Sequence, residues 1–366
     1  MGFESGSVGF RMFYVPRDLP EDAVERFART ALPPLDLLGR ESLRGWAGGR
    51  HLLDRVITDD NAFLAGYLRL NLVKAERKIP VALLRAECTM EELALMQAEG
   101  KAYLSRAERS QIRKDVTDRL LPQMPPNLTA VSVVYDGENR MVYASATSEK
   151  KTDALLLNFS AATEVTLVPV DAASAAIKLA RINVEALEPT SFTPELEDEL
   201  AGNHPGLDFL TWLWFYAESR GGVMEHEGES CAVLVEGPLS LFLEGDGAHV
   251  ALLRNGAPMV SSEAKTALLS GKKLRSARVT LARARETWST SFDATDFTFR
   301  GFKFPQSEEK LDAVTAFQQR MLSLNRFSQT FAAFYKAFLT ERSDASRWKA
   351  AQKDIHLWVR DRVAKQ

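Results

Sequence analysis

The sequence predicts an α+β protein with mixed or antiparallel sheets, packed helices, a projecting helical pair and a helical C-terminal tail. Three observations carry that expectation. Runs that alternate apolar with polar residues, or concentrate aromatic and branched ones, recur between turn-forming Gly, Pro and Asp. Two helical patterns joined by a short break fall between strand-like regions. After Pro305 the pattern is helical to the end, with one break near "RSDASR" (342–347).

Taken in order, "SVGFRMFYV" (7–15) reads as a first strand, and "DLPEDAVERFARTAL" (18–32) as a helix with acids in its first turn. "LAGYLRLNLVKAE" (64–76) reads as a strand that Pro80 punctuates. "VALLRAECTMEELALMQ" (81–97) is helical, with Gly100 as its stop. Ser105 and Glu108 have the spacing of a capping box, so a second helix is expected over 106–121, ending before "PQMPP". "LTAVSVVYDGENRMVYASAT" (128–147) gives two strands around a turn at Asp136 and Gly137. A helix near 149–159, a strand at "EVTLVPV" (164–170) and a short helix near 172–181 follow. Residues 186–205, polar and carrying Pro189, Pro194 and Pro205, read as a linker or domain edge. Beyond it come a helix at 207–219, strands at 231–236, 239–243 and near 249–254, and a helix at 261–270. "KKLRSARVTLARARETWSTSFDATDFTFRGFKF" (272–304) gives two or three antiparallel strands.

These elements group into a central α/β domain (1–78 and 123–190), the projecting pair (79–122), a second α+β domain (191–305) and a C-terminal helical extension (306–366). A chain of 366 residues with 45% hydrophobic and 26% charged content is long enough for cores of that number and has the make-up of a soluble globular protein. The opening "MGFESGSVGF" is polar and glycine-rich, which points to a cytoplasmic location. The most apolar run, "LDFLTWLWFYA" (207–217), is about half the ~20 residues of a membrane span and reads as a buried helix or a subunit contact. Cys88 and Cys231 form neither a disulfide framework nor a zinc set.

Catalytic constellations are not evident. His51, His204, His226, His249 and His356 are scattered, without helical metal-ligand spacing. "MEHEGE" (224–229) reads as an exposed turn, and "EGDG" (244–247) as a hairpin turn rather than an acidic metal loop. No phosphate-binding loop, nucleophile elbow or dinucleotide fingerprint occurs. The spacing of acids singles out no set for Mg²⁺. No enzyme activity, catalytic residue, metal or cofactor is therefore expected.

The basic residues are more informative, although the formal net charge is only −3. Arg106, Arg109 and Arg113 lie three and four apart on the second helix, with Lys114 beside them and Lys101 upstream. This is either a solvated helix with weak ion pairs or a surface that grips phosphate. "GKKLRSARVTLARAR" (271–285) carries Lys272, Lys273, Arg275, Arg278, Arg283 and Arg285; it is either a charge-protected edge strand or a second gripping group. "ERKIP" (76–80) adds Arg77 and Lys78 where the helical pair begins. No zinc finger, recognition-helix motif or aromatic RNA-binding signature accompanies them, so any DNA binding should lack sequence preference.

Together, "ERKIP" with its amphipathic helix, "LSRAERSQIRKDVTDRLLP", "ATSEKKTDALL" and "TLVPV" resemble the bacterial recombination-associated RdgC family. "VSSEAKTALLSGKKLRSARVTL" and "DFTFRGFKF" add a second stretch, and "VGFRMFYV" and "RGWAGG" (44–49) a looser one. The resemblance spans roughly 7–305 in consistent order. It implies a non-enzymatic, nucleoid-associated protein whose two subunits close into a positively lined ring around duplex DNA and limit access of the RecA recombinase. It assigns DNA contact to Arg77, Lys78, Arg106, Arg109, Arg113, Lys114, Arg254 and Lys272; the basic groups add Lys101, Lys273 and Arg275. Gln123 and Pro125 stand where the family has an arginine and an aromatic, so the helix is expected to hold DNA along its side and not at its tip. Two other readings are an interaction module that uses "FLTWLWFY" and the C-terminal helices, and a metal-dependent nuclease.

Overall fold

The computed structural model describes residues 2–243, 250–305 and 311–361. Its first strand, Val8–Tyr14 (β1), buries side chains on both faces, as a strand inside a covered sheet must. A short helix Ala23–Arg29 (α1) follows; it is shorter than 18–32 because Leu32 donates its N–H to the Trp46 carbonyl at 2.8 Å and joins the next strand, Leu43–Gly48 (β2). Asp59–Ala62 (α2) leads into a tight hairpin of Phe63–Leu64 (β3) and Tyr67–Arg77 (β4). The projecting pair is Val81–Glu99 (α3) and Arg106–Leu120 (α4), close to the expected bounds.

Pro126–Asp136 (β5), Met141–Ala144 (β6) and Glu149–Thr163 (α5) come next. The strand expected over 164–170 is only Val168–Pro169 (β7), paired to the end of β1, before Ala172–Ala180 (α6). Residues 186–205 are not an exposed linker. Thr190, Ser191, Phe192 and Thr193 are buried, and Gln352 and Trp348 hydrogen-bond to Thr190.

Pro205–Ser219 (α7) is the apolar run, buried almost throughout, so it is core and not a contact surface. Its Gly206 sits so near the Ala294 carbonyl that a Cβ would lie 2.0 Å from that oxygen; no other residue allows this approach. Val223–His226 (β8) turns through Glu227 and Gly228 into Glu229–Phe242 (β9), which places "MEHEGE" at a turn. The expected strands 231–236 and 239–243 are thus one. The ladder with Lys273–Arg283 (β11) shifts register opposite Pro238, where a residue without an N–H cannot pair. Val250–Leu253 (β10) and Ser262–Leu269 (α8) precede β11 in sequence; Glu286–Asp293 (β12) and Thr298–Lys303 (β13) complete the sheet. The "EGDG" turn and His249 lie outside the described residues.

The strands form one 13-stranded sheet, with the path β10-β9-β11-β12-β13-β1-β6-β5-β4-β2 and antiparallel neighbours throughout. β11 is therefore interior, between β9 and β12, and is not the edge strand its charges suggested. One face of the β1–β4 half is covered by α1 and α5 around Phe27, Trp46 and Phe159, whose rings stack edge to face. The opposite face, along much of the sheet, is covered by α6, α7, Ala313–Arg342 (α9) and Ala345–Asp361 (α10).

The C-terminal tail is helical, yet it is part of the main core. α9 buries Phe317, Met321, Leu324, Phe327, Phe331, Phe334 and Phe338 at helical spacing. Phe327 meets Phe302 at 4.7 Å and Phe299 at 5.2 Å between ring centroids, and Phe10 of β1 stacks on Phe299 at 5.1 Å. Truncating Phe327 to Ala leaves a cavity against three strands. The expected loss is ~3–5 kcal/mol of unfolding free energy, read as a lower midpoint in urea denaturation.

Candidate nucleic-acid interface

α3 and α4 leave the sheet at the end of the β4–β5 ladder, where Arg77 pairs with Pro126. α3 has 19 residues, so it reaches roughly 28 Å, and none of them is fully buried. Gly100 takes the left-handed conformation (φ 61°) that closes a helix without a Cβ clash. The capping box forms as the spacing predicts. The Glu108 N–H donates to Ser105 Oγ at 3.2 Å, and the Ser105 N–H donates to Glu108 Oε2 at 2.7 Å. Lys101 Nζ donates to Glu108 Oε1 at 2.6 Å and pairs with Glu99 at 2.6 Å.

The acids of α3 face α4 and are taken there. Arg119 donates to Glu91 at 2.8 Å and to Glu87 at 2.9 Å, and Arg109 leans toward Glu92 at 3.9 Å. Asp118 pairs with Arg40 at 3.1 Å. Arg106, Arg113 and Lys114 are exposed and make no ion pair among the described residues. The stripe they share with Arg109 becomes apolar lower down, where Val116 and Leu120 are buried. Two arginines of α4 thus pair with α3 acids, while three of its cations stay unpaired among the described residues.

Several expected positions behave differently. Gln123 and Pro125 lie at the root of the hairpin, beside the start of β5; its tip is the Gly100–Ser105 connection. Arg77 is half-buried and spends its guanidinium on the carbonyls of Leu38 (3.3 Å) and Met124, holding the root closed. Lys78 is exposed and pairs with Glu76. Lys273 is not a surface cation. It is 1% exposed, with Nζ 2.6 Å from Asp208 and 3.2 Å from the Gly202 carbonyl. The first residues of β11 form an irregular register, so Lys273 and Leu274 are both buried in succession and simple alternation fails. Burial raises the Asp208 carboxyl above its ordinary range, while the Lys273 ammonium pulls it back. Lys272 reaches Ser270 Oγ at 3.1 Å, Arg275 is half-buried, and Arg254 is exposed.

These groups do not form one patch on a single chain. β11 and β5 are five positions apart in the sheet, roughly 24 Å at strand spacing. Arg254 follows the Leu253–Leu239 pair and Lys272 precedes the Lys273–Phe242 pair, so roughly 17 Å of strand separates them along β9. Other cations come together in ways that spacing along the chain does not reveal. Arg278, Ser291 and Arg300 are register partners on three successive strands, on the face that α9 leaves open; Arg300 is bonded to Asp293 (3.3 Å) and the Thr147 carbonyl (3.2 Å). Arg44, Lys74, Lys150 and Lys151 converge beside Lys78. Only strand register brings residues so far apart in sequence together.

A cavity of about 910 Å³ lies between α9 and the ends of β4, β12 and β13. Its arginines are committed: Arg326 to Glu229 (2.9 Å) and Glu286 (3.0 Å), and Arg320 to the carbonyls of Phe3 and Gly6. Among the described residues no three His, Cys, Asp or Glu side chains gather as a metal site, and no helix is long and apolar enough to cross a membrane.

The fold and hairpin define an α+β protein built on one antiparallel sheet, with a projecting helical pair that turns its cations outward. Residues 41–201, a stretch that includes the hairpin, match the sequence model of the family described as "RdgC: Putative exonuclease, RdgC". The second resembling stretch, from "VSSEA" onward, lies beyond that match. A comparison with curated proteins returns no match.

Two outcomes follow from this geometry. Lys273→Ala strands the Asp208 charge in the core and should cost ~3–5 kcal/mol in urea unfolding, whereas Lys272→Ala should change stability by less than ~0.5 kcal/mol. Glu108 is held at about 2, below its ordinary 4.5, first by the Lys101 hydrogen bond and then by those of Ser105. A depressed carboxyl contributes above its unfolded value and loses that contribution as pH falls through the folded one. Exchange protection of the Glu108 amide, corrected for intrinsic rate, should be flat from neutrality to about pH 4.5 and decline toward pH 2. In Glu108→Gln the decline should vanish.

Proposed function

We propose that the chain binds duplex DNA without sequence preference, as a homodimer that closes into a ring, and that it limits access of RecA to DNA in the nucleoid. The observation that carries this reading is the pairing pattern of the hairpin: α3 acids take Arg119 and Arg109, leaving Arg106, Arg113 and Lys114 exposed and unpaired among the described residues. Cations on one side of a projecting helix suit phosphate contacts, which position a duplex and carry no sequence information. A homodimer is supported by the uncovered apolar side of the hairpin, where Met90, Leu93 and Tyr103 are 56%, 58% and 77% exposed. It also offers a way to bring Arg254 and Lys272 of one subunit toward the same duplex as the hairpin of the other.

The matched family's description as a putative exonuclease supports a second reading, a metal-dependent nuclease. The exposed, unpaired cations of α4 favour the binding reading. Anisotropy titrations on two unrelated ~30-bp duplexes separate the outcomes. Equal affinities and a steep linear fall of log K with log salt are expected, with Arg106→Ala/Arg113→Ala making the slope shallower by about two on both duplexes. Salt-insensitive binding, or an unchanged slope, contradicts the proposal. Shortened or nicked products with Mg²⁺ or Mn²⁺ favour the nuclease.

A further inference from the structure

A groove of about 430 Å³ opens on the sheet face beside the first turn of α5. Its charged lining is Arg44, Lys74, Lys78, Lys150 and Lys151 against the single carboxylate of Glu76. Glu76 already pairs with both Lys74 and Lys78. Arg44, Lys150 and Lys151 make no ion pair among the described residues. Arg44 and Lys74 are direct cross-strand partners, an arrangement of like charges that costs free energy in an isolated sheet. The Ser148 side chain makes no capping bond, and this end of α5 lines the same groove, adding a positive helix terminus. Every charged side chain in the site except Glu76 is cationic, an arrangement that repels itself and favours an anion.

We propose that this groove holds backbone phosphates of bound DNA, at a place separate from the arginine face of α4. The inference rests on the DNA-binding reading above. The groove is well placed for it. Lys78 stands at the root of the hairpin, and Arg113 lies roughly 11 Å up α4 from the root residue Leu120. No aromatic side chain lines the groove, so it has no platform for stacking bases and grips sugar–phosphate alone. Lys150 and Lys151 are exposed and can be neutralised without disturbing the core.

The test compares the wild-type chain, Lys150→Gln/Lys151→Gln and Arg106→Ala/Arg113→Ala on one ~30-bp duplex across a salt series, with the thermal midpoint of each protein alone. The groove variant should flatten the slope of log K against log salt by ~1.8, about 0.9 for each phosphate that is no longer neutralised. Its midpoint should equal or exceed that of the wild type, because like charges have been removed. A groove variant with the wild-type slope overturns this inference and leaves the DNA reading standing. A wild-type chain that fails to bind the duplex removes both. Inorganic tripolyphosphate is the remaining arm. If it raises the wild-type midpoint but not the variant's while the duplex slopes coincide, the groove takes small phosphates and the DNA assignment is overturned.

Discussion

The structure depends on β1. This strand pairs with β13 along one edge and with β6 along the other, so among the described residues the two halves of the sheet are one backbone ladder only through Val8–Tyr14. Its side chains do the same for packing. Phe10 and Met12 enter the core under α9, while Phe13 enters the core under α1 and α5. Removing water from the Phe10, Phe299, Phe302, Phe327 and Phe331 cluster requires the last long helix to lie across that junction. The C-terminal segment is thereby committed to the fold.

That arrangement leaves the hairpin outside the core. α3 contributes no fully buried residue, so the pair is held by its mutual ion pairs, its cap and the Arg77 bonds at its root. Exposed pairs of this kind are individually weak. The rigidity of α4 therefore comes from its two ends: Ser105 and Glu108 at the tip, and buried Val116 and Leu120 at the base. Between them the outward cations are presented at fixed helical spacing. The same logic explains why Lys273, an expected contact, is not one, and why Arg283 of the same basic run is equally unavailable. Each is buried with a carboxylate, Asp208 or Glu229, and ties its strand to a helix or hairpin. A buried cation with a hydrogen-bonded partner has no capacity left for phosphate.

Much of this was legible in the sequence because the signals were local. Alternation found β1, β5 and the strands after Lys272; the Ser105–Glu108 spacing and Gly100 set the hairpin helices to within a residue or two. What failed was long-range. Pro238 looked like a break because the strand's accommodation of it depends on the shifted β11 register. The polar segment 186–205 looked like a linker because its burial under Trp348 and Gln352 depends on a helix some 150 residues away. The basic run after Gly271 looked like an edge because nothing local reveals that β9 lies beside it. The groove cations Arg44, Lys74, Lys150 and Lys151 come from three segments that only the β2–β4–β5 ladder and the start of α5 unite. Residue type and spacing read helices well; they do not read which strands become neighbours.

The central claim is that outward cations on α4 hold phosphate and leave the bases unread. A reconstruction by electron cryomicroscopy of the full chain on a mixed-sequence duplex tests it most directly. The account predicts DNA lying along α4, with phosphate oxygens at hydrogen-bonding distance from Arg106, Arg113 and Lys114 and no side chain of the hairpin touching a base edge. Hairpin side chains inserted in the major groove against base edges, or a duplex bound on a surface away from α4, would contradict it.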